Sequence, residues 1–127
     1  MTLLYIAIGG AIGAVARYTL GGWVQDRVAF DFPLGTLAVN MIGSLLIGFA
    51  IRYMEAVRLP VDLRALITIG LLGAFTTFST LSYETFALLA KGAWFRAGLN
   101  AVGHLLLGLG AVYAGVAIAV QILHARG

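Results

Sequence analysis

Cysteine is missing from this chain of 127 residues. Its absence excludes a disulfide framework, a thiol nucleophile and a zinc–thiolate site. Charge is scarce as well: 8 basic and 5 acidic residues make up 10% of the sequence, against roughly 25% in soluble domains. A soluble fold this small must cover most of its surface with polar groups, and so few charges cannot do that. The basic residues form no run, so the net charge of +3 does not point to nucleic acid. No basic residue precedes the uncharged stretch 1–16, so Met1–Ala16 reads as the start of a first span rather than a cleaved leader. What fills the chain instead is apolar: 61% of residues, with a mean hydropathy of +1.01. The expected class is an all-α integral membrane protein.

Charge-free runs locate the helices. They cover residues 1–16, 32–51, 65–83 and 97–125. About 20 apolar residues cross a bilayer as a helix, so the last three runs suffice alone and the first must continue through Arg17. Four transmembrane helices are expected near 3–24, 33–54, 62–89 and 95–123, forming a single transmembrane domain over 1–127. Strands would alternate at about ten-residue intervals, a pattern this chain lacks. Asp31 with Pro33, and Pro60 with Asp62, read as cap and early-turn residues of the second and third helices. The joints are too short for a soluble lid, which confines all chemistry to the helices.

Glycine is abundant, at 17 residues. In the first helix Gly9, Gly10, Gly13 and Ala14 set small residues four apart on two adjacent faces, suited to close packing in lipid. The orientation signal is almost balanced. Both termini and the second joint share one side, with Arg52, Arg58, Arg64 and Arg126; the other side holds Arg27, Lys91 and Arg96. Four against three is nearly no bias under the positive-inside rule. A chain that inserts both ways would pair as an antiparallel dimer, the symmetry that inverted repeats use within single-chain transporters.

Polar groups inside a membrane are costly and mark function or interhelical bonding. Thr36, Asn40 and Ser44 recur every four residues on the second helix, one stripe on an apolar cylinder. In the third helix Gly70 and Gly73 precede Thr76-Thr77-Phe78-Ser79-Thr80-Leu81-Ser82, where five of seven residues carry hydroxyls. More hydroxyls stand there than one helix needs, and with the glycines they suggest a broken helix that frees backbone carbonyls, a common cation site. Asn100, His104 and Gly108 follow at four-residue steps on the fourth helix, with His104 as lining. Arg17 is the basic residue deep in a span, and Glu84 lies past the hydroxyl cluster. A pathway rich in hydroxyl and amide donors and poor in carboxylates suits an anion, which the positive edge of a phenyl ring such as Phe78 can also meet.

At these residues the sequence resembles the Fluc/CrcB family of fluoride channels. The motifs are Gly35-Thr36-Leu37-Ala38-Val39-Asn40 and Gly73-Ala74-Phe75-Thr76-Thr77-Phe78-Ser79-Thr80, with Arg17 and Glu84 beside them. The resemblance implies an antiparallel, dual-topology homodimer in the cell's inner (plasma) membrane, in contact with lipid and not with nucleic acid. It implies two fluoride pores per dimer and export of fluoride that entered as HF, which relieves fluoride toxicity. By position it makes Asn40 the amide ligand, Phe78 the first ring of a phenylalanine pair, and Thr36, Ser79 and Thr80 the hydroxyl lining. Arg17, Leu81, Glu84 and His104 complete the expected pathway, with Leu81 standing where the family has its second ring. Gly73 and Thr76 match the backbone carbonyls of a structural Na+ at the dimer interface. A small dual-topology multidrug or cation exporter is the alternative, but it would need an acidic residue deep in the first helix, where this chain has Arg17. An enzyme is not expected, since two histidines and one deep carboxylate do not assemble a nucleophile–base–acid set.

Overall fold

The computed structural model describes residues 1–29 and 31–127, and among them all regular structure is helical. In chain order the elements are α1 (Thr2–Gln25), α2 (Leu34–Val57), α3 (Val61–Ala65), a π-helical stretch Leu66–Leu72, α4 (Gly73–Phe75), α5 (Phe78–Ala90) and α6 (Trp94–Arg126). Four rods are long and apolar enough to cross a membrane: α1, α2, the composite Val61–Ala90 and α6.

The joints are tight because local chemistry closes them. Arg58 takes a left-handed conformation (φ 53°) after α2, and the Leu59 amide donates back to the Met54 carbonyl at 3.2 Å. That 6→1 bond satisfies a carbonyl the helix end would leave bare. After α5 the turn runs through Gly92 at φ 76°, a conformation glycine adopts without a Cβ clash. The expected acidic caps are not used. Pro33 and Pro60 hold the N-cap positions, and neither helix has a side-chain cap bond. Asp31 instead meets Lys91 Nζ at 3.1 Å, and Asp62 accepts from the Thr2 hydroxyl. A cap competes with every other donor within reach, and here distant donors win.

The membrane ends are thereby marked. At one end Arg126 donates to the Tyr53 hydroxyl at 2.6 Å. At the other, Lys91 and Arg96 converge on Asp31, Arg96 through the backbone carbonyl at 3.4 Å.

Glycine sets the helix spacing. α1 lies against the π-helical stretch, where Gly9 and Gly13 face the carbonyls of Leu66 and Leu71. Of the two small faces read in α1, this one closes, whereas Gly10 has only one distant neighbour. α2 and α6 cross at Gly48 against Val112 and at Gly115 against Leu45. A Cβ on Gly115 would press into the Leu45 carbonyl and the Phe49 amide, backbone that cannot swing aside. Gly115→Ala should therefore cost about 1–3 kcal/mol, the usual range for overpacking. The check is the midpoint of unfolding in mixed detergent, with Gly103→Ala, which has nothing within 4 Å, left unchanged. The protein-facing core is small: Val39, Leu72, Phe75, Leu88 and a few others are buried, while Leu3, Val15, Leu105 and Leu106 point outward. Outward leucines suit a rod whose solvent is lipid.

Candidate functional site

The composite third rod leaves the helical conformation at Thr76 (φ −91°, ψ 157°) and Thr77 (φ −149°, ψ 121°), both extended, with the Thr76 amide making the last helical bond, to the Leu72 carbonyl at 3.1 Å. Side chains hold the lapse open. The Thr77 amide donates to Asn40 Oδ1 at 2.8 Å, and Asn40 Nδ2 donates back to the Thr77 carbonyl at 3.1 Å. The Thr80 amide donates to Thr77 Oγ1 at 3.2 Å, an N-cap bond that starts α5. In an α-helix the amides of Thr77 and Thr80 would go to the carbonyls of Gly73 and Thr76. Both amides are diverted, so those two carbonyls lose their ordinary helical partners. The Ala74 carbonyl receives Arg17 Nε at 3.0 Å. A guanidinium that could have reached toward the interface is thus anchored at the interruption.

Two cavities border this junction, and Thr77 lines both. The smaller, of about 330 Å³, is walled by Arg17, Gln25, Thr36, Thr80 and Glu84. There the Thr36 hydroxyl donates to Glu84 Oε1 at 2.6 Å. The larger, of about 730 Å³, is mainly apolar, with Asn40, Ser44, Phe78, Leu81 and His104 on its wall. Of the residues the sequence singles out, Arg17, Thr36, Thr80 and Glu84 therefore meet at one cavity, and Asn40, Phe78, Leu81 and His104 at the other. Ser79 is exposed and borders neither. Phe78 is the first residue of α5 and is 80% exposed, its ring bordering the larger cavity.

Part of the hydroxyl cluster has an ordinary use. Thr76 donates to the Leu72 carbonyl at 3.1 Å and Ser82 to that of Phe78 at 3.0 Å, each four residues back. Three contributors had no role of their own in the sequence reading, although Thr77 stood in its hydroxyl cluster and third-helix motif. Thr77 is the pivot of the junction, and its place three residues before Thr80 is a legible N-cap pattern. Gln25 ties α1 to α2, accepting from the Gly35 amide and donating to the Phe32 carbonyl, both at 3.0 Å. Thr85 accepts from Asn100 Nδ2 at 3.0 Å, joining α5 to α6. The last two are long-range pairings that leave no spacing signal.

The sequence profile described as "CrcB-like protein, Camphor Resistance (CrcB)" matches residues 4–116. The chain belongs to the CrcB family. The matched CrcB segment runs from α1 into α6 and contains every residue of both cavity walls. Curated CrcB relatives match over nearly their whole length. One from Roseiflexus sp. (strain RS-1), named fluoride-specific ion channel FluC, is 46% identical over 94% of this chain and 97% of its own. One of the same name from Geobacter sulfurreducens is 48% identical over 95% and 98%. A third, fluoride-specific ion channel FluC 1 from Methanosarcina acetivorans, is 50% identical over 90% and 87%. With four rods long enough to span, this CrcB chain is a multi-pass membrane protein.

Proposed function

We propose that this chain is a fluoride-selective channel that exports fluoride across the cell's plasma membrane, working as an antiparallel homodimer with two pores. The observation that carries the reading is the match, at 46% identity over 97% of the relative, to a protein named for fluoride-specific conduction. The site's chemistry agrees with that cargo. Fluoride is small and strongly hydrated, so a pore must replace its water with closely spaced donors. The Thr80 hydroxyl, the Asn40 amide and the Arg17 guanidinium are such donors, the Phe78 ring offers its positive edge, and Thr36 gives its own hydroxyl hydrogen to Glu84. A cation exporter is disfavoured because α1 carries Arg17 and no carboxylate before the joint.

A structural sodium ion belongs to the same reading. The carbonyls of Gly73 and Thr76 fit it, since the amides that would occupy them go to Asn40 and Thr77 instead. Bound there, the ion would offset the convergence of carbonyl dipoles at the centre of the dimer. The extended residues Thr76 and Thr77 are on this view the functional break of the third helix.

Purified protein in liposomes, with efflux followed by a fluoride electrode, tests the proposal. Fluoride should leave and chloride should not, and equal passage of both would end it. Phe78→Ile keeps bulk but removes the ring edge, worth about 1 kcal/mol or more in a desolvated site. It should slow fluoride efflux about fivefold or more. Leu81→Ile, which has no ring edge to lose, should change little.

A further inference from the structure

The smaller cavity holds an acid and a base that do not pair. Arg17 and Glu84 both line it, yet among the described residues the one ion pair joins Lys91 and Asp31. Glu84 accepts from Thr36 through Oε1, while its Oε2 is enclosed by protein and has no hydrogen-bond partner. Arg17 gives its Nε to the Ala74 carbonyl, and its terminal amino groups make no hydrogen bond to any described residue. Opposite charges attract strongly at low local dielectric, and an enclosed carboxylate oxygen left bare is costly. Around one cavity of about 330 Å³ these two long side chains are within each other's reach, so their separation has to be held.

Two tethers hold it. The Ala74 carbonyl anchors the base. Thr36 anchors the acid, and Thr36 is itself seated by Gln25. Gln25 is the last residue of α1, and its side chain spans the joint to α2. Its Oε1 accepts from the Gly35 amide and its Nε2 donates to the Phe32 carbonyl, both at 3.0 Å. Gly35 is the second residue of α2, so its amide has no partner within its own helix. Pro33 makes no side-chain cap bond, and the cap comes from α1 instead. The seat is close: a Cβ on Gly35 would press into the Gly21 carbonyl and crowd Gln25. Thr36 is the next residue along, and its hydroxyl reaches Glu84 at 2.6 Å.

We propose that Gln25 is a positioning residue of the anion path. Its two bonds seat the first turn of α2, which keeps Thr36 on Glu84 and Glu84 off Arg17. The inference rests on the fluoride-channel reading above. An anion entering the cavity then meets a guanidinium whose amino groups are not already taken. If the turn slips, Thr36 no longer reaches Glu84 Oε1 and the carboxylate turns to the guanidinium. The resulting ion pair neutralises the cation and fills the cavity. Gln25 borders the cavity as well, but both ends of its amide are committed, so it acts through Thr36.

Fluoride efflux from liposomes carrying the full chain, less the leak of protein-free liposomes, would be compared for the parent, Gln25→Leu, Glu84→Gln and the double variant. Gln25→Leu keeps a similar bulk and removes both bonds. It should slow efflux about fivefold or more, the weight of one hydrogen bond or more on the seated turn. Glu84→Gln leaves no carboxylate to capture Arg17, so in that background Gln25→Leu should cost nothing further. A residue that merely stiffened the joint would slow both backgrounds alike. Equal slowing in both, or Gln25→Leu at the parental rate, would overturn the proposal. Thr36→Val removes the next link and should show the same dependence on Glu84. Should Gln25→Leu not fold, Gln25→Met, unbranched like the parent residue, takes its place. The structure of the Gln25 variant reads the same step without transport: the Glu84 carboxylate should lie on the Arg17 guanidinium, and a carboxylate still held by Thr36 would also overturn the proposal. A parent that moves no fluoride would fail the channel reading itself, whereas the variant's structure decides the role of Gln25 independently.

Discussion

Asn40→Ala should reduce fluoride efflux from liposomes to near the protein-free background while leaving the protein folded. Asn40 is 8% exposed and gives both of its amide functions to one backbone residue, Thr77. Without that clamp the amide and carbonyl of half-buried Thr77 both lose their partner. Each orphaned group costs about 1–3 kcal/mol. The amide's nearest remedy is the Gly73 carbonyl, four residues back, which would restore helical bonding. Rewinding would turn Phe78 away and cover the carbonyl proposed for sodium. One bond-sized penalty already lowers the population of the open junction about tenfold, and the loss of the Asn40 donor from the pathway adds to it. Asn40→Asp separates the contributions. It keeps an acceptor for the Thr77 amide but sets a carboxylate against the Thr77 carbonyl and adds an anion beside the path. It should also fail to conduct. Efflux from Asn40→Ala at the parental rate, with an unchanged size-exclusion profile, would remove this residue from the mechanism.

The rods were legible in the sequence because lipid imposes a length: a charge-free run near twenty residues can be little else. Asn40 was legible for a similar reason, since an amide in mid-membrane must have a partner. Its partner was not. Thr77 lies thirty-seven residues on in sequence, and a pairing at that range leaves no periodicity. The same holds for Arg17, whose depth marked it but whose anchor, the Ala74 carbonyl, is a backbone atom that every residue possesses. Asp31 shows the converse failure. Locally it looks like a cap, yet Lys91 reaches it from across the fold, and the surface pair that results is worth little energetically. The π-helical stretch Leu66–Leu72 had no signal of its own. Its two isoleucines, threonine and glycine among three leucines do not single out a π-helical register, which is met by Gly9 and Gly13 of another helix. His104 was noticed as a polar residue on an apolar rod. Only the fold reveals that its Nδ1 meets the Asn100 carbonyl one turn back.

Forcing one orientation should abolish transport, and restoring the opposite orientation in a second chain should bring it back. The proposed dimer needs one subunit of each topology. The grouping of basic residues suits this, since Arg126 meets Tyr53 at one end while Lys91 and Arg96 gather at Asp31 at the other. The sides carry four and three basic residues, an excess of one. Ala56→Lys with Val57→Lys, both exposed at the end of α2, raises the first side to six against three. The mirror variant replaces Arg58 with Asn, which tolerates the left-handed conformation there, and Arg64 with Gln. With Ala29→Lys and Ala90→Lys added, it carries two against five. An excess of three in either sense should set the topology of nearly every chain, because basic residues in short loops near the span ends decide it. Each biased chain alone should then lack its antiparallel partner and give no fluoride efflux from cells. Co-expression should restore it. The added lysines lie at the rod ends, outside both cavity walls, so a direct effect on conduction is not expected. If either biased chain alone exports fluoride at the parental rate, a parallel or monomeric channel is the working form and the antiparallel dimer fails.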